Sequence, residues 1–149
     1  MSGVTVHTYC KAGLGEGPIW DWRNNRLLWV DGEGHGYYAS EGGVPDRTSW
    51  HKVGVFISSI ALIGAAGEAL LLTTANGLAA VARPGGPVRY GPRRVHAISV
   101  DYDTEKLRMN DSVADPLGRL WVGTMRWDGS RADGTLYCYS SPEEYSRRR

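Results

Sequence analysis

Three times along this chain a short apolar strand runs into a tight turn and out into a second apolar strand. Pro18-Ile19-Trp20-Asp21 is followed by Asn24-Asn25 and then Leu27 to Asp31. Ser59-Ile60-Ala61-Leu62 is followed by Gly64 to Gly67 and then Leu70-Leu71-Leu72. Ser112-Val113-Ala114-Asp115 is followed by Pro116-Leu117-Gly118 and then Leu120 to Thr124. Two further strands follow in the first two units: Gly36 to Ala39 and Ser49 to Val53, then Gly77 to Ala82 and a segment near Val95 to Val100. The third unit reads as Asn110 to Ala114, Leu120 to Met125 and Gly134 to Tyr139. No segment keeps an i, i+3, i+4, i+7 apolar stripe long enough for a helix. Four short strands every ~40–50 residues are the pattern of a propeller blade, with a small meander or sandwich as the competing arrangement.

Composition agrees. The 149 residues hold 20 Gly, 6 Trp and 8 Tyr against a single Phe, a mix suited to short strands and tight turns. Charge nearly cancels, with 17 Lys and Arg against 16 Asp and Glu, so neither nucleic acid nor an anionic membrane is called for as a partner. The longest uncharged stretches, 53–67 and 69–82, are shorter than the ~20 residues of a membrane helix and read as buried strands. The start of the chain lacks a basic segment followed by an apolar one, so a cytoplasmic location is expected, with Cys10 and Cys138 as reduced thiols. The four histidines show no catalytic or metal-ligand spacing.

The repeat gives three positions one structural role. Glu16 sits five residues before Asp21, Asn110 five residues before Asp115, and Ser58 occupies the matching place in the second unit. Each lies near the start of the innermost strand of its blade and should line the mouth of a central channel. A carboxylate and an amide converging there suit a hard cation.

At these positions the motifs become specific. Leu14-Gly15-Glu16-Gly17-Pro18-Ile19-Trp20, Arg108-Met109-Asn110-Asp111, the run from Asp115-Pro116 through Gly118-Arg119-Leu120-Trp121-Val122-Gly123-Thr124-Met125, and Gly134-Thr135-Leu136-Tyr137 stand in order over residues 14–139. The set resembles the N-terminal half of the regucalcin (senescence marker protein), gluconolactonase and luciferin-regenerating enzyme family. The resemblance implies an all-β fold, with this chain as about three blades of a six-bladed β-propeller. The blades fall roughly at 14–53, 56–100 and 108–139, with an N-terminal strand at 4–9 and a polar, basic tail at 140–149.

The resemblance also implies a metal-dependent sugar-lactone hydrolase. Glu16 would be a metal ligand, and Arg108, Asn110 and Asp128 would bind the lactone. The cofactor would be a divalent cation, Ca²⁺, Zn²⁺, Mg²⁺ or Mn²⁺, polarising the carbonyl and helping to activate water. In the family, further ligands, an asparagine and an aspartate that doubles as general base, come from later blades. No catalytic residue is therefore assigned, and the chain is expected to be weak or inactive alone, with a complementary C-terminal half as a partner. Asp128-Gly129 is also an ordinary turn signal, and Asn110-Asp111 can simply shape a turn. A non-catalytic calcium-binding protein and a non-functional fragment are the alternatives to the hydrolase.

Overall fold

The computed structural model describes residues 3–63, 69–82 and 102–140. Blade 1 is a four-stranded antiparallel sheet in the order β1 (Gly15–Asp21), β2 (Arg26–Asp31), β3 (Gly36–Glu41) and β4 (Thr48–Lys52). Blade 2 contains β5 (Ile57–Ile63), β6 (Ala69–Thr74) and β7 (Gly77–Ala82). Blade 3 contains β8 (Leu107–Ala114), β9 (Leu120–Arg126) and β10 (Leu136–Tyr139). In each blade consecutive strands are neighbours, so the chain steps through each sheet as a meander. The fourth strand of blade 2 expected near 95–100, and the tail beyond Ser140, lie outside the described residues.

The apolar runs that lack alternation have a physical cause in this arrangement. On β6, Leu70 and Leu72 face blade 1, where they pack with Leu28, Val30, Tyr37, Ile57 and Ile60. Leu71, between them, faces blade 3 and packs with Met109, Leu120 and Val122. A strand covered on both faces needs no polar side, so β6 reads as a continuous apolar run. The strands of blade 3 are covered on one face only: Val113 and Leu136 are exposed while Leu120 and Val122 are buried.

The turn between the first two strands is closed the same way in blades 1 and 3. The Asp21 carboxylate accepts from Arg26 Nε and Nη2 at 3.0 and 2.9 Å, and Asp115 accepts from Arg119 Nε at 2.6 Å. In both cases the aspartate ends the inner strand and the arginine leads into the next, so a charge-assisted bond fixes the hairpin.

The innermost strand of every blade is bulged near its start. β1 runs from Glu16 to Ile19 while β2 runs only from Val30 to Leu28. β8 runs from Met109 to Ser112 against Thr124 to Val122, and β5 from Ile57 to Ser59 against Thr74 to Thr73. Each inner strand thus carries one extra residue, which re-aims the side chains around it. In β1 the bulge uses Gly17 at φ +56°, a conformation that glycine adopts without penalty.

One expectation is not met. Residues 4–9 join no sheet among the described residues. Strand structure needs a ladder partner, and here the segment makes side-chain contacts with blade 1 instead. His7 Nε2 lies 3.0 Å from Ser40 Oγ, and the Tyr38 hydroxyl donates to the Cys10 carbonyl at 2.9 Å. Val4 and Val6 remain exposed. Among the described residues no helix is long and apolar enough to cross a membrane.

Candidate functional site

The mouth of blade 1 is set by Asp31, at the end of β2. Its Oδ1 accepts from the backbone N–H of Leu14 and of Gly34, both at 3.0 Å, and its Oδ2 from Gly13 at 3.2 Å. Gly32 N adds a bond to the Leu14 carbonyl at 3.0 Å. Burial of Asp31 opposes its charge, but the three N–H donors outweigh it and hold the carboxyl below the usual range. The loop entering β1 is thereby pinned, and Glu16 follows it at the start of the bulge. Glu16 is half-buried, and no described residue hydrogen-bonds or ion-pairs with its carboxylate.

Blade 3 supplies Arg108 and Asn110. Arg108 is 8% exposed. Its Nη1 donates to the Met109 carbonyl at 3.1 Å and to Asn110 Oδ1 at 2.9 Å. The guanidinium lies over two rings, with Cζ 4.9 Å from the Phe56 centroid and 5.5 Å from that of Trp127. Those rings meet edge to face, 5.0 Å apart at 73°. Gly32 makes room for this arrangement, since a Cβ there would come within 2.9 Å of the Phe56 ring. Trp127 is anchored through its backbone N–H on the Lys106 carbonyl at 3.1 Å. Burial pushes the Arg108 guanidinium down from its ordinary range, and the nearby Glu16 carboxylate pushes it back up. Glu16, Arg108 and Asn110 therefore share one electrostatic environment at the bulged strand starts of blades 1 and 3.

The other two positions behave differently. Ser58 is buried at 1% exposure, its hydroxyl turned to the Thr73 carbonyl at 3.4 Å, so it does not present a ligand to the mouth as the repeat suggested. Asp128 lies in the exposed turn after β9, where its Oδ1 accepts the Ser130 N–H at 2.9 Å. The structure brings Glu16, Arg108 and Asn110 together and leaves Asp128 on the rim.

Between the blade mouths is a cleft of about 330 Å³, lined by Leu14, Glu33, His35, Phe56, Arg108 and Trp127. Of these, the sequence motifs mark Arg108 alone as a binding residue. Phe56 sits in the link between blades and carries no periodic signal. His35, in the turn between β2 and β3, has φ +59°, which no spacing rule would reveal.

The donor set decides how a cation would fit. Glu16 is one carboxylate, Asn110 Oδ1 already accepts from Arg108, and Ser58 is turned away. Among the described residues no group of three or more His, Cys, Asp or Glu is placed to hold a metal ion. Since Ca²⁺ takes ~6–8 oxygens, the described residues do not fit a complete cation shell.

Comparison with known proteins agrees with this architecture. Residues 14–148 match the region described as SMP-30/Gluconolactonase/LRE-like. Pentonolactonase XacC of Haloferax volcanii is 36% identical over 132 residues, which cover 89% of this chain and 40% of that protein. The solved structure of a luciferin-regenerating enzyme superposes with a TM-score of 0.69 at 28% identity, covering 85% of this chain and 42% of that one. A regucalcin from Agrobacterium tumefaciens, described as a calcium-binding protein, gives a TM-score of 0.67 at 22% identity, over 85% of this chain and 40% of that one, and speaks to the fold alone. The chain spans about 40% of the length of the relatives it matches. It belongs to the SMP-30/gluconolactonase/LRE-like family and forms about three blades of that family's six-bladed β-propeller.

Proposed function

We propose that this chain carries the lactone-binding side of a sugar-lactone hydrolase. The observation behind the reading is the meeting of Glu16, Arg108 and Asn110 at the bulged starts of two inner strands. Hydrolysis of a lactone adds water across the ring acyl–oxygen bond, giving a hydroxy acid, and negative charge gathers on the carbonyl oxygen on the way. A fixed guanidinium aimed at that oxygen stabilises the charge without having to reorganise. Asn110 spends its oxygen on Arg108, which leaves its amide N–H groups to donate to a sugar hydroxyl. Asp128, on the rim, is the proposed outer contact for a further hydroxyl. The lactonase name of the Haloferax relative supports a sugar lactone as the substrate class.

Glu16 is the proposed metal ligand. A divalent cation, when bound, would supply Lewis acidity at the carbonyl. The described residues offer it one free carboxylate, so no step is routed through it, and turnover by this chain alone is expected to be weak.

Acid release from D-glucono-1,5-lactone above the spontaneous rate, followed in a pH-stat, tests the reading. Glu16→Gln and Asn110→Ala are each expected to lower the protein-dependent rate by about a hundredfold or more. Wild-type rates in both variants at saturating divalent cation would overturn the site assignment. A rate no higher than the spontaneous one in the unaltered chain would overturn turnover by this chain alone.

A further inference from the structure

Arg108 is a buried cation whose counter-ion is missing. It is 8% exposed, yet no carboxylate among the described residues ion-pairs with it. Glu16 acts on it electrostatically from beyond ion-pair distance. Burying a charge without a partner is costly, and the faces of Phe56 and Trp127 offset only part of that cost. The fork is also half used. Nη1 makes both protein hydrogen bonds, while Nε and Nη2 have no partner among the described residues. Arg108 lines the cleft of about 330 Å³, whose walls are the same two rings. The paired edge of the fork is tied to the sheet, and the two rings restrict how far its plane can turn.

We propose that the free Nε/Nη2 edge of Arg108 is a receptor for a carboxylate, and that its ligand is the open-chain sugar acid produced by lactone hydrolysis. This deepens the proposed function and rests on it for the identity of the acid. A lactone carbonyl offers a single oxygen to the guanidinium. Ring opening creates a second equivalent oxygen and a full negative charge. Only then does the ligand match the two parallel N–H donors of one guanidinium edge. The aromatic walls present apolar faces to the carbon chain, and Glu33 and His35 supply polar groups at the rim for its hydroxyls. Phe56 and Trp127 are positioning residues in this scheme, because they act by fixing the plane of the fork. The consequence is product retention: the acid binds more tightly than a neutral polyol of the same length.

Isothermal titration of the chain with sodium D-gluconate, D-glucitol and sodium acetate tests this without requiring turnover. Gluconate should bind saturably, and glucitol and acetate at least about tenfold more weakly. Arg108→Lys keeps the charge and loses the fork, and is expected to weaken gluconate by about tenfold or more. Phe56→Leu, which keeps the arginine, should weaken gluconate several-fold while glucitol binding stays unchanged. Equal binding of glucitol, equal binding of acetate, or wild-type affinity in Arg108→Lys would each overturn the proposal. Gluconate binding in a chain that never hydrolyses lactone would sink the hydrolase reading and leave the receptor standing. Turnover without gluconate binding would do the reverse.

Discussion

Asp31 holds the loop ahead of Glu16 with three backbone hydrogen bonds, so its removal is a test of the site that leaves every proposed ligand-binding side chain in place. Asp31→Ala strands three N–H donors and should cost about 2–3 kcal/mol of stability at pH 7. The pH dependence has a definite sign. The folded carboxyl is held below the ordinary aspartate value, so the stabilisation is complete above the unfolded value of about 3.9 and fades as pH falls through the lower folded one. Urea midpoints of the wild type and Asp31→Ala should therefore be well separated at pH 7 and converge below about pH 3. A gap that does not change with pH would show that the ionised carboxylate is not the acceptor. The same region shows what could be read from the sequence. Glu16, Arg108 and Asn110 were legible because each stands in a local motif on a strand. Phe56, Trp127 and His35 were not legible as binding residues, because they meet Arg108 only across turns of different blades.

At the scale of the strand, the bulges do the aiming. Gly17 sits at φ +56° against the backbone of Ser59, with the nearest atoms 3.7–3.8 Å from where a Cβ would stand. Space is therefore available and conformation is the constraint. Gly17→Val is expected to destabilise the chain by about 1–2 kcal/mol, whereas Gly17→Asn, which tolerates the left-handed region, should cost less. Thermal midpoints of the two variants compare the terms directly, and equal losses would mean that crowding rather than backbone strain governs the site. Hairpins were legible from the sequence because apolar runs and turn residues mark them locally. Bulges were not, since each is a difference in register between two strands and neither strand carries it alone. The repeat equated Glu16, Ser58 and Asn110, yet Ser58 is turned inward, because a bulge of the same length can present a different side chain. The strand expected at 4–9 failed for a related reason: its β-like alternation is genuine, but a strand also needs an edge to pair with.

For the molecule as a whole, β6 is the element on which both interfaces between blades depend. Leu70 and Leu72 pack toward blade 1 and Leu71 toward blade 3, all with 5% exposure or less. A stack in which each sheet is covered by its neighbours behaves as a chain of nearest-neighbour contacts. Leu71→Ala should then open a cavity on one side only and weaken that interface by about 2–5 kcal/mol. Blade 3 depends on this contact most, since its only buried face is turned to blade 2, and Met109 N bonds the Ala75 carbonyl of the β6–β7 turn at 2.9 Å. Hydrogen exchange should accordingly show amides of β8 and β9 losing protection well before those of β2 and β3, while Leu70→Ala should bring the two sets closer together. Because Arg108 and Asn110 ride on β8 and Glu16 on β1, Leu71→Ala should also separate the two halves of the site and weaken gluconate binding, although Leu71 touches no ligand-binding residue. Uniform loss of protection across all three sheets would mean that the blades unfold as one unit, and the site would then be as stable as the whole molecule.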